Sequence, residues 1–325
     1  MPFQFSKTRS SYSDMRIFLL TVFLFLRVLN ASAQTADEFE ALALKKMEQK
    51  DYKYALELIN KAIALDTKNE WYYISKADIQ FQLSGPLESI QTLKDGLLQN
   101  EKKSQLYNRL GTYYDSGGMG DSSILMYNKA IEYAESDTMK NYIISNRGAA
   151  KTGIRDFEGA VKDFETALLF DPNNIGALNN VATCYAELDM IDKSIACLKK
   201  IISLDSTFTG TYGNLGFIYS ELDSFELAIT NFNKVLELDP NDPLGYNNRG
   251  FVYYKMGDYP SALHDINLSI KMYPTNSYAY RNLALVYIAM DKMKEACTAL
   301  MFAMNYGFEN RYGPEVSELF TKYCK

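Results

Sequence analysis

Small residues recur at a fixed interval along most of this 325-residue chain. From Gly148 onward the interval is 34 residues without exception, and stepping back from Gly111 by the same interval reaches Ala77 and Ala43. The series is Ala43, Ala77, Gly111, Gly148, Ala182, Gly216, Gly250 and Ala284. The one longer step, between Gly111 and Gly148, predicts three residues inserted at a turn near 137–140. A period of this length indicates stacked copies of one supersecondary unit.

Two further columns of mostly small residues, beginning at Ala55 and Ala62, run in phase with the first. Each repeat therefore carries small residues on two successive amphipathic segments, which allows two helices to pack closely. Asp171-Pro172 and Asp239-Pro240 stand where the second segment should end. Since proline cannot continue a helix, these residues predict the turn into the next repeat.

The segments 246–250, 253–259 and 261–263 resemble the tetratricopeptide repeat (TPR). Eight such repeats can be placed, starting near residues 36, 70, 104, 141, 175, 209, 243 and 277. The resemblance implies an all-α fold, a right-handed superhelical α-solenoid of about eight TPR helix pairs over residues 34–310. The second repeat departs from the pattern, with Ser84-Gly85-Pro86 in place of the usual turn.

After Gly307 the repeat pattern ends, and Pro314 precedes a short amphipathic segment. A stack of repeats leaves its last member with an exposed apolar face, which a terminal helix must cover. We therefore expect a capping helix within residues 311–325.

Residues 1–33 differ in composition from the rest. Basic residues precede an apolar run at 17–26, and the small residues Ala31-Ser32-Ala33 follow it. This layout predicts a signal peptide cleaved before Gln34, with export to the periplasm or beyond. The run is shorter than the roughly 20 residues of a membrane-spanning helix, although an uncleaved anchor is the alternative. Whether Met1 or Met15 is the true start stays open.

Charge and composition exclude several kinds of function. A formal net charge of −6 does not suit a protein that tracks nucleic-acid phosphates. The single histidine, His264, shares one helical turn with Ser261 and Asp265, so the three cannot converge as a catalytic relay. Glycines at 117–120 indicate a turn, because no Lys-Ser/Thr pair follows them. We predict no catalytic residue, no metal site and no cofactor, and hence no enzyme.

Asparagine recurs two residues before the small residue of five first helices, at Asn146, Asn180, Asn214, Asn248 and Asn282. Asparagine costs about 0.5 kcal/mol or more inside a helix relative to alanine, so the repetition needs a reason. In similar repeat domains this position lines the concave face, where an amide can both donate to and accept from a bound peptide. Alternatively, the amides tie neighbouring helices together. Both interpretations stay open.

Other residues are predicted to share that concave face: Phe217, Asn247, Phe251, Tyr254 and Arg281. Aromatic, amide and cationic groups together suit a peptide with apolar anchors, although each aromatic could instead pack between repeats. The paired lysines with which some TPR domains clamp a C-terminal carboxylate are missing.

The predicted function is a non-enzymatic interaction scaffold that binds a protein or an extended peptide, and we expect a monomer. Two alternatives are a component of an envelope complex that docks through its convex face or ends, and a glycan-binding accessory. The partner's identity is open.

Four cysteines remain, an even number that permits disulfides in an exported protein. A bridge between Cys297, in the last repeat, and Cys324, near the end of the capping helix, would fasten that helix. Cys184 and Cys197 lie on the two helices of repeat five and could also pair. The alternative is free buried thiols.

Overall fold

The computed structural model of the chain describes residues 34–324, which belong to two compact units. Unit 1 ends at Ile143 and unit 2 begins at Ile144. The predicted signal peptide lies outside the described residues. The residues described form eighteen helices and no β-strand, so the predicted all-α architecture of tandem helix pairs is confirmed.

Unit 1 contains three helix pairs. They are α1 (Ala36–Glu48) with α2 (Tyr52–Leu65), α3 (Glu70–Ser84) with α4 (Pro86–Gln99), and α5 (Ser104–Ser116) with α6 (Gly120–Glu132). Short polar side chains begin several of these helices: Thr35 forms a capping box with Glu38, and the Asn69 side chain accepts a bond from the Trp71 amide. Such caps satisfy amides that have no partner inside the helix.

Helix α7 (Asp137–Gly153) contains the boundary between the units. The pairs that follow are α7 with α8 (Phe157–Phe170), α9 (Ile175–Glu187) with α10 (Ile191–Leu204), α11 (Thr209–Glu221) with α12 (Phe225–Leu238), α13 (Pro243–Lys255) with α14 (Tyr259–Met272), and α15 (Ser277–Ala289) with α16 (Met293–Asn305). Two short helices end the chain, α17 (Phe308–Tyr312) and α18 (Glu315–Tyr323). None of these helices within 34–324 has both the length and the apolar character needed to cross a membrane.

Seven first helices begin at the residues predicted from the repeat, and the fourth does not. No turn lies at 137–140: α7 begins at Asp137, four residues before the predicted start, and has 17 residues against 13 in α9. The expectation of a turn was wrong because Ser136 caps this helix, its Oγ accepting from the Met139 amide at 3.2 Å. Asp137 then adds a negative charge to the first turn, where the helix dipole favours it.

The small residues of the first helices provide room for large side chains of the second helices. Gly216 in α11 faces Phe232 in α12, which is 2% exposed. A Cβ atom at position 216 would lie 2.8 Å from the Phe232 ring, closer than real Cβ contacts come. The small-residue column is therefore a packing requirement within each helix pair.

Buried ion pairs join first and second helices in unit 2. Arg249 in α13 donates from Nε and Nη2 to the two carboxylate oxygens of Asp265 in α14, at 2.6 and 2.9 Å. Arg147 in α7 bonds Asp163 in α8 in the same way. The hydrogen bonds to Asp265 raise the pKa of Arg249, so the guanidinium stays protonated.

The end of unit 2 is covered by α17 and α18. Phe308 and Val316 are fully buried in a cluster with residues of α15 and α16, which is the role expected of a capping segment. Cys297 and Cys324 form a disulfide between α16 and the end of α18, with their Cα atoms 5.6 Å apart. Cys184 and Cys197 are free thiols. Helix α17, which follows Gly307 at φ 78°, was not predicted.

Candidate partner-binding groove

The five predicted asparagines occupy equivalent places on the first helices α7, α9, α11, α13 and α15. Asn282 is fully buried, whereas Asn146, Asn180, Asn214 and Asn248 are half-buried. They therefore differ in what they can offer to a partner.

Some of these amides connect neighbouring first helices. Nδ2 of Asn214 donates to Oδ1 of Asn179 at 3.0 Å, across 35 residues. Nδ2 of Asn282 donates to Oδ1 of Asn247 at 3.0 Å, across the same interval. Asn247 is only 1% exposed. For Asn247 and Asn282, the structure favours the tying of helices over contact with a ligand.

This series of amide bonds is interrupted at Gly213. Gly213 occupies the place in α11 that Asn179 has in α9 and Asn247 has in α13. Because glycine has no side chain, Asn248 has no amide oxygen to donate to on α11. Its Oδ1 accepts from Nδ2 of Asn247 at 3.3 Å, which leaves its Nδ2 for another acceptor.

A groove of about 330 Å³ lies beside Asn248, between α11, α13 and α15. Four predicted residues line it, namely Phe217, Asn248, Phe251 and Arg281. Its other lining residues are Ser220, Glu221, Phe232 and Tyr278. We call this surface the unit 2 groove. Phe217 is 60% exposed, and it also borders a smaller hollow of about 80 Å³ that includes Asn214.

Tyr254 lies next to the unit 2 groove and not in its lining. Its ring stacks on Phe251 with 5.8 Å between the ring centroids. Burial raises the pKa of the Tyr254 hydroxyl, with a nearby Arg281 acting against this rise. Tyr254 therefore stays neutral and serves to position the Phe251 ring.

Arg281, which lines the unit 2 groove, and Lys255, which contacts the lining residue Ser220, are both engaged within the protein. Arg281 donates from Nε to both carboxylate oxygens of Glu315 at 3.1 Å, and its guanidinium lies 5.3 Å from the Phe251 centroid. Lys255 donates to the Ser220 carbonyl at 2.7 Å and lies 3.4 Å from an Asp223 oxygen. The surface left for contact is thus mainly aromatic and amide in character, together with the Glu221 carboxylate, whose side chain is 59% exposed.

Tyr278 in the groove lining and Glu315, the partner of Arg281, are among the residues that the sequence interpretation missed. Tyr278 is the second residue of repeat eight, and comparison of equivalent positions across the repeats could have identified it. Glu315 lies in the capping helix, outside the 34-residue period, and no periodic signal points to it.

Unit 1 contains a separate groove of about 470 Å³ on its first helices α1, α3 and α5. Phe81 and Tyr113 stack there at 4.7 Å, and the Tyr113 hydroxyl donates to Asp78. Burial raises the pKa of Asp78 despite that bond and the nearby Arg109. The sequence did not indicate this groove, because Phe81 belongs to the irregular second repeat.

Neither the unit 2 groove nor the lone histidine brings catalytic groups together. His264 is exposed, whereas its neighbour Asp265 is buried and bonded to Arg249. Among residues 34–324, no three His, Cys, Asp or Glu side chains are grouped so that they could hold a metal ion.

Comparison with known families and structures agrees with the repeat pattern. The tetratricopeptide repeat model matches residues 175–208 and again residues 243–276, and a TPR repeat model matches 218–257. The sequence has no significant match among curated proteins.

Solved structures share the fold at low sequence identity. A tetratricopeptide repeat protein from Parabacteroides merdae is 17% identical, with a TM-score of 0.61, over 88% of this chain and 98% of that one. A chain of the APC/C hetero-tetramer Cut9–Hcn1 is 16% identical, with a TM-score of 0.62, over 93% of this chain and 58% of that one. PilF of Pseudomonas aeruginosa is 18% identical, with a TM-score of 0.53, over 67% of this chain and 96% of that one.

At these sequence identities the solved structures show the fold alone. The three segments that match family models identify the repeat as the tetratricopeptide repeat. TPR proteins bind proteins or peptides and are generally non-catalytic scaffolds. The chain is a tetratricopeptide repeat protein, built as a scaffold for protein interaction.

Proposed function

We propose that the protein binds an extended segment of a partner protein in the unit 2 groove and has no catalytic activity. The observation that carries this proposal is the conjunction of Phe217, Phe251 and the Nδ2 of Asn248 on one open surface. An aromatic ring that is 60% exposed, as Phe217 is, gains free energy when a partner covers it.

The interruption at Gly213 supports a binding role for Asn248. Asn214 and Asn282 donate their Nδ2 groups to an amide on the preceding first helix, whereas Asn248 can donate to a carbonyl of a bound peptide. A backbone carbonyl is present at every residue of a partner, so this bond holds an extended chain without selecting its side chains. Phe217 and Phe251 would supply selectivity for apolar side chains.

Affinity capture tests this proposal. The protein and a Phe217→Ala/Asn248→Ala variant are used to capture partners from the envelope fraction of the native host. We expect the variant to retain about one tenth or less of the partner, because truncation of two central contact residues costs about 2 kcal/mol or more. Circular dichroism must first show equal helicity for both proteins.

Two further variants sharpen the result. Leu169→Ala removes an apolar side chain that is 86% exposed but lies in α8, away from the groove, and it should leave capture unchanged. Gly213→Asn offers Asn248 the missing acceptor and should weaken capture. Equal capture by all variants would instead favour docking through another face or the ends. Capture of polysaccharide instead of protein would favour the glycan-binding alternative.

We also propose that the protein is exported and that its signal peptide is removed before Gln34. The basic, apolar and small-residue segments of residues 1–33 support this, as does the Cys297–Cys324 disulfide, since disulfides persist in oxidising compartments. Mass spectrometry of the protein from its host should find Gln34 at the N-terminus and the two cysteines linked. An N-terminus at Met1 or Met15 would contradict the proposal.

A further inference from the structure

Arg281 meets a carboxylate that comes from outside the repeats. Its Nε donates to both oxygens of Glu315 at 3.1 Å, and Nη2 donates to Oε1 as well. Nη1 donates to Oδ1 of Asn282 at 2.9 Å. The guanidinium also lies near the rings of Phe251 and Tyr278, at 5.3 and 5.5 Å from their centroids.

This ion pair stands at the lining of the unit 2 groove. The side chain of Arg281 is 13% exposed and that of Glu315 is 42% exposed. A guanidinium with so little exposure needs a carboxylate to offset its loss of hydration. Any carboxylate that reached the same place with the same two-oxygen geometry would meet this need equally well.

Glu315 can leave Arg281 without loss of the capping helix. Helix α18 is anchored by Val316, which is fully buried, and by the disulfide between Cys297 and Cys324 at its other end. Neither of these two anchors involves the Arg281–Glu315 pair. Displacement of Glu315 therefore requires a side-chain rotation and not the unfolding of the helix.

Lys255 is not in the lining of the groove, and it is less available than Arg281. Lys255 is held by the Ser220 carbonyl, and carboxylates of Glu221 and Asp223 lie 3.7 and 3.4 Å from its Nζ. All three groups come from α11 or the turn after it, in the repeat before that of Lys255. Arg281 is the groove cation whose partner belongs to a terminal segment.

From this arrangement we infer that Glu315 stands in for a carboxylate of the partner, which makes the bound segment acidic. An Asp or Glu side chain of that segment replaces Glu315 on Arg281, while a neighbouring apolar side chain packs against Phe217 or Phe251. Glu315 competes with that acidic side chain for Arg281 and so lowers the affinity for every acidic segment. Only a segment whose other contacts with the groove are favourable enough then binds. This inference rests on the proposed function of the unit 2 groove.

Fluorescence anisotropy with synthetic peptides tests the inference on the full chain. The probes are a labelled peptide that alternates phenylalanine with glutamate and matched peptides with glutamine or lysine in place of glutamate. We expect Glu315→Gln to strengthen binding of the glutamate peptide by about five- to tenfold and to change binding of the glutamine peptide by less than about twofold. Arg281→Gln should remove the preference for glutamate over glutamine.

Glu318→Gln is the matched control, because Glu318 is an exposed carboxylate of the same capping helix. It removes the same charge without touching Arg281, so it should change no peptide's affinity by more than about twofold. Thermal unfolding followed by circular dichroism checks that all variants remain folded.

The possible failures can be told apart. If Glu315→Gln produces no gain for the glutamate peptide, or if Glu318→Gln produces the same gain, the inference is wrong. Phe217→Ala decides the proposed function separately: unchanged binding of the glutamine peptide in this variant would move the binding site away from the groove. Weakened binding in Phe217→Ala together with no effect of Glu315→Gln would retain the groove and reject its acidic partner.

Discussion

Replacement of Arg249 by methionine is expected to lower the free energy of unfolding of unit 2 by about 3–5 kcal/mol, because it leaves a buried carboxylate without its cation. Asp265 is 2% exposed, and both of its oxygens accept bonds from Arg249, at 2.6 and 2.9 Å. Methionine keeps the length and most of the apolar contact of the arginine stem. Urea denaturation followed by circular dichroism measures the loss.

The double variant Arg249→Met/Asp265→Leu should recover most of that loss. Repeat eight carries Leu283 and Ala299 at the equivalent places and is well buried there, so an apolar pair is compatible with this helix packing. Apolar replacements of buried ion pairs are often neutral or stabilising. A loss in the single variant below about 1 kcal/mol would mean that water reaches Asp265.

A surface ion pair provides the comparison. Arg155 bonds Glu187 at 3.2 Å, and their side chains are 74% and 43% exposed. Arg155→Met should therefore change stability by less than about 1 kcal/mol. The contrast between Arg249 and Arg155 separates the effect of burial from that of charge removal.

The Gly216→Ala variant is expected to lose about 1–3 kcal/mol of unfolding free energy, because the added methyl group overpacks the space filled by Phe232. The new Cβ would lie 2.8 Å from a ring that is 2% exposed and has little room to move. This loss should exceed the gain in helix propensity that alanine brings, which is about 0.5–1 kcal/mol.

Gly213→Ala is the matched control in the same helix. No atom lies within 4 Å of the position that its Cβ would take, so only the propensity gain remains and the protein should become more stable. Both variants can be measured by urea denaturation. A gain in Gly216→Ala as large as that in Gly213→Ala would show that the small-residue column is not a packing requirement at this pair.

The repeat made most of the architecture predictable. The starts of seven first helices, including those at residues 36, 175 and 277, agree with the positions read from the 34-residue interval. The first helix of the fourth repeat differs because Ser136 caps α7 one turn early. A capping bond found in one repeat leaves no signal in the 34-residue interval. The disulfide partners followed from the positions of Cys297 and Cys324 on the segments that the cap must join.

The candidate site was less predictable. The sequence predicted that Phe217, Asn248 and Phe251 share one face, because residues at equivalent places on stacked helices line up. All three line the unit 2 groove. It did not distinguish Asn248 from Asn282, although the first borders a groove and the second is fully buried. Asn248 also lacks the acceptor on the preceding first helix that Asn282 has, because Gly213 stands 35 residues before it, an offset that the 34-residue interval does not indicate.

By itself, the sequence determined the helix pairs, their number and the positions in each first helix at which the residue must be small. Those properties follow from short-range periodicity and from steric limits that act within one repeat. The tertiary structure alone decided which amides bond across neighbouring helices, that Arg249 is paired with Asp265, and that Glu315 reaches Arg281. These contacts depend on the offset between neighbouring helices and on the path of the capping segment. Side-chain packing between residues far apart in the sequence sets both, and the 34-residue interval carries no information about it.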